Sequence, residues 1–250
     1  MSRLPALALA VFASLSCAWP VRAQTTGAQP AFFPVMAKFD GHEALSFPPS
    51  VALEINGAAT IEFWVYAGWT SDPGYDPAIL AYSGPTGSRF AFLITADRQA
   101  FGVYAGSNYA TVPFNFADGL VHHVAVEAIG NSMEVLIDEA PVGTLDFGFA
   151  DLPVTDLWIG AMQEQSSFIG QIGQIRIWST PLAPSVLLQY ARQPIVTTGP
   201  GAHPNTDSLM AMSSFANPET GGFIFFGTPN MANPSAQLPD PGPDQPSPGQ

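Results

Sequence analysis

The alternation of apolar and polar residues predicts short β-strands along most of the chain after residue 36. In His122–Ile129 alternate residues fall on two faces, and Gly130-Asn131 then offers the positive φ angles of a tight turn. Met133, Val135 and Ile137 share one face of the returning strand. Clusters of Gly, Pro, Asn and Asp separate the segments, so the pattern predicts strands near 44–47, 59–67, 78–83, 89–96, 100–105, 121–129, 133–138, 141–146, 156–161 and 168–178.

The segment Phe168–Trp178 is the most informative of these strands. Its pattern places Ile175 and Ile177 on one face and Arg176 and Trp178 on the other. Two glycines remove side chains where a neighbouring backbone or a bend needs the space: Gly170 and Gly173. A single short helix is predicted at 184–192, with Pro184 in its first turn.

The pattern divides the chain into five parts. We expect a signal peptide at 1–23, an extended leader at 24–35 and one globular domain at 36–194. A C-terminal extension at 195–233 includes a strand-like run at 222–227. The last part, 234–250, has six prolines among its seventeen residues and no aromatic residue, so we predict a disordered tail.

The N-terminal segment has the features of an export signal. Arg3 precedes a short apolar run, and Val21-Arg22-Ala23 offers a small-x-small cleavage site. Two alternatives stay open, an uncleaved membrane anchor and a lipoprotein modified at Cys17. We therefore predict an exported protein that is secreted, periplasmic or held at the cell surface. No later apolar run approaches the length of a transmembrane helix.

Composition narrows the class of protein. Cleavage would leave five basic residues against twenty acidic ones, and no cysteine. This charge argues against nucleic acid as a partner, because binding requires basic groups on the phosphates. The charged fraction is 11% and the hydrophobic fraction is 47%, which favours an all-β domain with a packed core.

Six segments resemble the laminin G-like jelly rolls of the concanavalin A-like superfamily in order and spacing. They are Phe39–Gly41, Thr60–Val65, Asp118–Ala125, Val135–Glu139, Ile159-Gly160 and Phe168–Trp178. The chain departs from the family pattern at Val121, where Trp is usual, and at Glu139, where Gly is usual. The resemblance implies a two-sheet antiparallel jelly-roll β-sandwich with one short helix, and a ligand that is a glycan, with calcium as an optional cofactor at loops along one edge.

The loop 69–77 is the first candidate for ligand chemistry. Asp72 and Asp76 are candidate calcium ligands, since carboxylates suit a hard cation, and Trp69 and Tyr75 are candidate stacking surfaces for sugar rings. The alternative is a solvated turn in which Asp caps its own backbone.

A second candidate region lies further along the chain. It offers Tyr104, Asn108 and Tyr109 for stacking and hydrogen bonding, or else forms an ordinary polar hairpin tip.

His122 and His123 are tempting as metal ligands, but alternation sends them to opposite faces, so they cannot share a metal. We expect one packed and one surface histidine. The sequence has no GxSxG or HExxH motif, and Glu134, Asp138 and Glu139 lack the spacing of a glycosidase strand.

The predicted function is therefore binding and not catalysis. The partner would be an extracellular or envelope glycan. The alternative is a structural or adhesive module that contacts a surface protein, and a divergent glycoside hydrolase is a third option.

Overall fold

The computed structural model describes residues 34–47, 55, 57–84, 87–149, 156–162, 166–213 and 223–225, all within one compact unit. The predicted signal peptide at 1–23, most of the predicted leader and the predicted Pro-rich tail at 234–250 lie outside these ranges. No helix in the described ranges has the length and apolar character needed to span a bilayer.

The described residues form two antiparallel sheets. The larger sheet contains eight strands, β1 Met36–Asp40, β3 Ala58–Ala67, β8 His122–Ile129, β9 Ser132–Ile137, β10 Ala140–Leu145, β12 Ile169–Trp178, β13 Leu209–Ser213 and β14 Phe223–Phe225. The smaller sheet contains six, β2 Leu45–Phe47, β4 Ala78–Gly84, β5 Gly87–Ile94, β6 Ala100–Ala105, β7 Asn108–Pro113 and β11 Asp156–Ile159. This arrangement confirms the predicted all-β jelly-roll sandwich.

The main core lies between the two sheets and is built from the inward-facing residues of alternating strands. Phe63 of β3 packs against Phe92 and Phe101 of the smaller sheet, at ring-centroid distances of 5.8 and 6.3 Å. Phe90 and Phe149 lie 4.5 Å apart in an edge-to-face arrangement. Because aromatic side chains bury large apolar areas, this cluster holds the sheets together without any disulfide.

Strand β12 lies in the middle of the larger sheet and is paired along both edges. One edge pairs with β3, and the other is shared by β1 and β13. A bulge at Gln174, whose φ is +44°, resets the alternation, so Ile172 and Ile175 both enter the main core. The predicted faces of Ile175, Ile177, Arg176 and Trp178 are confirmed.

The two glycines of β12 allow the close approach that the sequence indicates. A Cβ atom at Gly170 would overlap the carbonyl oxygen of Tyr66, and its φ of +145° favours glycine. A Cβ atom at Gly173 would lie 2.8 Å from the carbonyl oxygen of Val35. Larger residues at either position would push neighbouring chain off β12.

The outer face of the larger sheet is covered by the chain that follows β12. Helix α1, Pro184–Tyr190, places Leu187 against Trp178 on this face. Leu209, at the start of β13, joins the same cluster. Thr60 of β3 anchors the connection, since its hydroxyl donates to the Thr180 carbonyl at 3.0 Å and accepts from the Leu182 N–H at 2.9 Å. This cover extends the fold past residue 194.

Under this cover, the buried carboxylate of Glu62 joins three strands. Its Oε1 accepts from the Trp178 indole at 3.0 Å and from Arg176 at 3.3 Å, and its Oε2 lies 3.0 Å from Nε2 of His123. Burial alone raises the pKa of Glu62, but the charge of Arg176 and the bonds from His123 and Trp178 outweigh it and lower the pKa to about 2.

Arg176 carries this network outward to the covering segment. Its guanidinium donates to the Gln193 carbonyl at 2.7 Å and to the Tyr190 carbonyl at 3.3 Å. The end of helix α1 is therefore hydrogen-bonded to the same buried ion pair that links β3 and β12. The carbonyls at a helix C-terminus otherwise lack partners, so a guanidinium suits this place.

The expectation of one surface histidine is wrong, because both His122 and His123 are buried. They do lie on opposite faces, as alternation predicts. His122 packs against Phe114 and bonds Asp138 at 2.8 Å on the core side, whereas His123 faces Glu62. The carboxylate of Glu62 offsets the cost of burying His123, and periodicity in the sequence does not reveal this partner.

Glu127 lies on the same outer face of β8 as His123 but lacks a full set of hydrogen-bond partners. It is 7% exposed, its Oε1 has no hydrogen-bond partner, and the register places Glu134 directly opposite. Burial, with the charge of Glu134 in addition, raises the pKa of Glu127 to about 7.

Several strands escaped the sequence analysis. Strands β1, β7 and β13 lie in segments where the pattern predicts none, and β7 turns the expected hairpin tip at Asn108 and Tyr109 into an edge strand. Strand β1 does alternate, with Ala37 and Phe39 against the core and Lys38 and Asp40 outside, but it is only five residues long. In β13 apolar residues occupy both faces, so the period of two is hidden.

We expect Glu62→Ala to destabilise the fold by about 3–5 kcal/mol, because it leaves Arg176 buried without its carboxylate. Chemical denaturation at pH 7 measures this, with the exposed Glu43→Ala as the matched control, expected within about 0.5 kcal/mol of the parent. The wild-type advantage over Glu62→Ala is present above pH 4.5 and lost as the pH falls toward about 2, since the folded pKa is depressed. An advantage that persists unchanged to pH 2 would contradict the role of the ionised carboxylate.

Glu127→Gln should stabilise the protein at pH 8 by about 1 kcal/mol, allowing for solvent screening, and have little effect at pH 4. The folded pKa of Glu127 is raised, so stability falls as the pH rises from 4.5 to about 7, and a neutral amide removes this loss. Thermal denaturation at the two pH values tests it. Glu134→Gln, which removes only the neighbouring charge, should give a smaller gain, and equal gains at both pH values would refute the explanation.

Candidate functional site

The outer face of the smaller sheet carries a row of residues that lie directly opposite one another across all six strands. In order from β2 to β7 the row is Ser46, Trp158, Ala81, Ala91, Tyr104 and Tyr109. Their neighbours along each strand point into the main core, so these side chains face away from it. We call Trp158, Tyr104 and Tyr109, together with Ala81 and Ala91, the aromatic face.

Small residues allow the large rings to lie close to the sheet. Ala81 and Ala91 are buried, and Tyr104, Trp158 and Met162 pack against them while remaining partly exposed. Trp158 and Tyr104 are three strand spacings apart, which is about 14 Å. The aromatic face is therefore longer than a single sugar ring.

Tyr109 extends this face over the edge strand and is held in place. Its ring lies over Gly102, where an added Cβ would come within 3.1 Å of the tyrosine Oη. Its hydroxyl donates to Oδ2 of Asp76 at 2.7 Å, and half of the residue stays exposed. Burial, and then the bond to Asp76, raise the pKa of Tyr109, so the hydroxyl stays protonated as a donor.

Asp76 is a structural support in this arrangement. Its Oδ1 accepts from the Ala96 N–H at 2.9 Å while its Oδ2 accepts from Tyr109. The carboxylate therefore joins the loop 69–77 to the β5–β6 turn and to β7. Asp72 instead accepts from the Gly74 N–H at 2.7 Å within its own turn, which is the alternative interpretation that the sequence left open.

The two predicted aromatics of the loop 69–77 lie apart from the aromatic face. Trp69 is 4% exposed, packs edge-on against Phe168 and donates to the Ala96 carbonyl at 2.8 Å. Tyr75 is half-buried and donates to the Ser167 carbonyl at 3.1 Å. Both rings fix the path of the loop, and the Trp69 ring has no open surface for a sugar.

The structure thus brings together Tyr104, Tyr109 and Asp76 from two predicted regions. Asn108 is exposed beside Tyr109 at the start of β7. The sequence analysis missed Trp158, although Leu157 and Ile159 face the core and alternation would have placed Trp158 outside. What alternation cannot supply is the register that aligns Trp158 with Tyr104.

The two candidate calcium ligands, Asp72 and Asp76, are both hydrogen-bonded within the protein. Within the described ranges no three His, Cys, Asp or Glu side chains come together as metal ligands. Asp72 and Asp76 each accept backbone N–H bonds from different parts of the chain. A calcium site needs six to eight converging oxygens, so calcium at this loop would need ligands beyond Asp72 and Asp76.

The strand order and sheet packing define an antiparallel jelly-roll sandwich with an aromatic outer face. A family model described as the concanavalin A-like lectin/glucanases superfamily matches residues 39–186, and the chain belongs to this family. The match confirms the laminin G-like resemblance of the sequence motifs. No curated protein sequence matches the chain.

Solved structures are similar to the chain at low sequence identity. A protein of Bacteroides ovatus that is named for carbohydrate binding is 14% identical, with a TM-score of 0.57, and the match covers 80% of this chain and 62% of that protein. A heptameric SAP-like pentraxin of Limulus polyphemus is 16% identical with a TM-score of 0.47 over 62% of this chain and 82% of its own. The CBM40 domain of the Ruminococcus gnavus IT-sialidase, bound to sialyllactose, is 16% identical with a TM-score of 0.48 over 64% of this chain and 98% of its own.

Asp76→Ala should loosen the β5–β6 turn and destabilise the protein by about 1–2 kcal/mol, because it removes two hydrogen bonds at once. Hydrogen exchange of the Ala96 amide measures the local effect and should accelerate. Asp72→Ala is the matched control and should leave this amide unchanged. Equal exchange rates in both variants would show that Asp76 does not hold the turn.

Proposed function

We propose that this chain is a glycan-binding module without catalytic activity, and that the aromatic face is its binding surface. The observation that carries the proposal is the cross-strand row of three aromatic side chains on a floor of small residues. Flat aromatic rings pack against the apolar faces of sugar rings, and a row of them suits a ligand of several sugar units. Membership of a lectin/glucanase superfamily supports the same conclusion.

The carboxylate beside the row suits binding better than hydrolysis. Glycosidases place two carboxylic groups across the scissile bond, one as acid and one as base or nucleophile. Asp76 has both oxygens engaged, with Ala96 and with Tyr109. It is therefore poorly placed to exchange protons with a substrate, and its contribution is to orient Tyr109.

Two parts of the sequence prediction stay predictions. Export depends on the segment 1–23, and with it the expectation that the glycan lies outside the cell or in the envelope. Calcium assistance depends on the family resemblance, and the binding experiment below includes a calcium arm for it.

The full-length protein should bind neutral oligosaccharides in a glycan screen, and Trp158→Ala and Tyr104→Ala should each weaken binding by about tenfold, which corresponds to about 1.4 kcal/mol. Isothermal titration calorimetry measures the affinities, with circular dichroism as the folding check. Tyr66→Ala is the matched control, because Tyr66 is a half-buried aromatic on the opposite, larger sheet. Each titration is repeated in excess calcium and in chelator.

The outcomes separate the competing functions. Equal affinities for the wild type and both face variants would move the site away from the aromatic face. A folded protein that binds no glycan in either calcium or chelator would overturn the proposal and favour the adhesive module. Binding that is lost only in chelator would confirm the predicted calcium assistance.

A further inference from the structure

A polar groove lies where the last strands of the two sheets approach each other. In the described part of the chain, β7 ends the smaller sheet and β10 ends the larger one. The groove between β7 and the end of β10 has a volume of 580 Å³. Gly143 of β10 permits the approach, since an added Cβ would lie 2.6 Å from Cγ1 of Val112 in β7.

The lining of this groove has the chemistry of a sugar site. Two aromatic residues border it, Tyr109 from β7 and Phe147 from the chain after β10. Short, exposed hydrogen-bonding side chains make up most of the remainder, namely Ser107, Asn108, Thr111, Thr144 and Asp146. Amide, carboxylate and hydroxyl groups bind pairs of sugar hydroxyls, and these groups make up most of the groove lining.

Charge narrows the ligand class. Asp146 is the one charged residue among those that line the groove, and it is exposed. An anionic sugar would meet a carboxylate and no compensating cation in this lining. The groove therefore suits an uncharged saccharide. Its hydroxyls can donate to Asp146, and no second charge has to be desolvated.

The groove is continuous with the aromatic face through one residue. Tyr109 belongs to the cross-strand row and also borders the groove. A glycan that lies along the row from Trp158 toward β7 reaches the groove when it passes Tyr109. We propose that the groove is a second subsite that holds an uncharged sugar unit, either the end or a branch of a glycan bound on the aromatic face.

This inference rests on the proposed function, so the experiment must tell the two apart. The groove variants are Asn108→Ala and Asp146→Ala, with the exposed turn residue Asn131→Ala as the matched control. The face variant is Trp158→Ala. The probes are cellotriose, cellohexaose, mannotriose, mannohexaose and a galactose-branched mannopentaose, with 3′-sialyllactose as the anionic probe, all titrated into the 250-residue chain.

If the gluco- or manno-oligosaccharides bind, the groove variants should bind the longer or branched member of that series about tenfold more weakly. A tenfold loss is about what one hydrogen bond contributes. The groove variants should bind the shortest member as the wild type does, whereas Trp158→Ala weakens every member. Groove variants that keep full affinity for every long and branched probe, while Trp158→Ala loses it, would overturn the subsite and leave the proposed function standing.

A second measurement keeps the subsite testable if no oligosaccharide binds and the proposed function fails. Amide chemical shifts are followed while glucose, mannose and galactose are added at millimolar concentration. Shifts confined to 107–111 and 144–147, and absent in Asp146→Ala, would support a sugar site in the groove. A Thr-Val repeat peptide, which could add a strand to the edge of β7, is titrated as the competing ligand. No shift with any of the three sugars, or shifts with the peptide alone, would overturn the sugar site.

Discussion

The carboxylate of Glu62 is the interaction on which the larger sheet depends. A buried charge is stable only when it is paired and fully hydrogen-bonded, and here the carboxylate and its partners come from three different strands. Trp178 and Arg176 approach from β12 and His123 from β8, while Glu62 itself lies on β3. Arg176 then reaches the carbonyls at the end of α1, so the strand pairing and the cover over the sheet are stabilised by one charge.

This network has a consequence for where a ligand can bind. The outer face of the larger sheet is occupied by α1, by the chain to β13 and by the apolar contacts of Trp178. The outer face of the smaller sheet carries partly exposed aromatic rings instead. The two outer faces of the sandwich thus differ: one is covered by the chain itself, and the other leaves aromatic rings accessible to solvent, as the proposed binding function requires.

Sequence reasoning predicted the features that depend on local alternation. The faces of Ile175, Ile177, Arg176 and Trp178 follow from the period of a strand, and the family motifs indicate the sandwich. It missed what depends on partners distant in the chain. His123 is buried only because Glu62 pairs with it, and Trp158 joins Tyr104 only through the register of four strands. Neither pairing leaves a trace in the local pattern.

Asp76 shows how the same residue type supports a site without being a ligand. Two acidic residues in one loop suggest a metal, yet the carboxylate of Asp76 is satisfied by an amide N–H and a tyrosine hydroxyl. These bonds orient Tyr109 before any ligand arrives. A surface whose rings are already held in place loses less conformational entropy on binding, and this lowers the cost of association. The Tyr109 hydroxyl is neutral and its partner is a carboxylate, so these two groups offer no attraction to an anionic sugar. This fits the proposed binding of uncharged sugars.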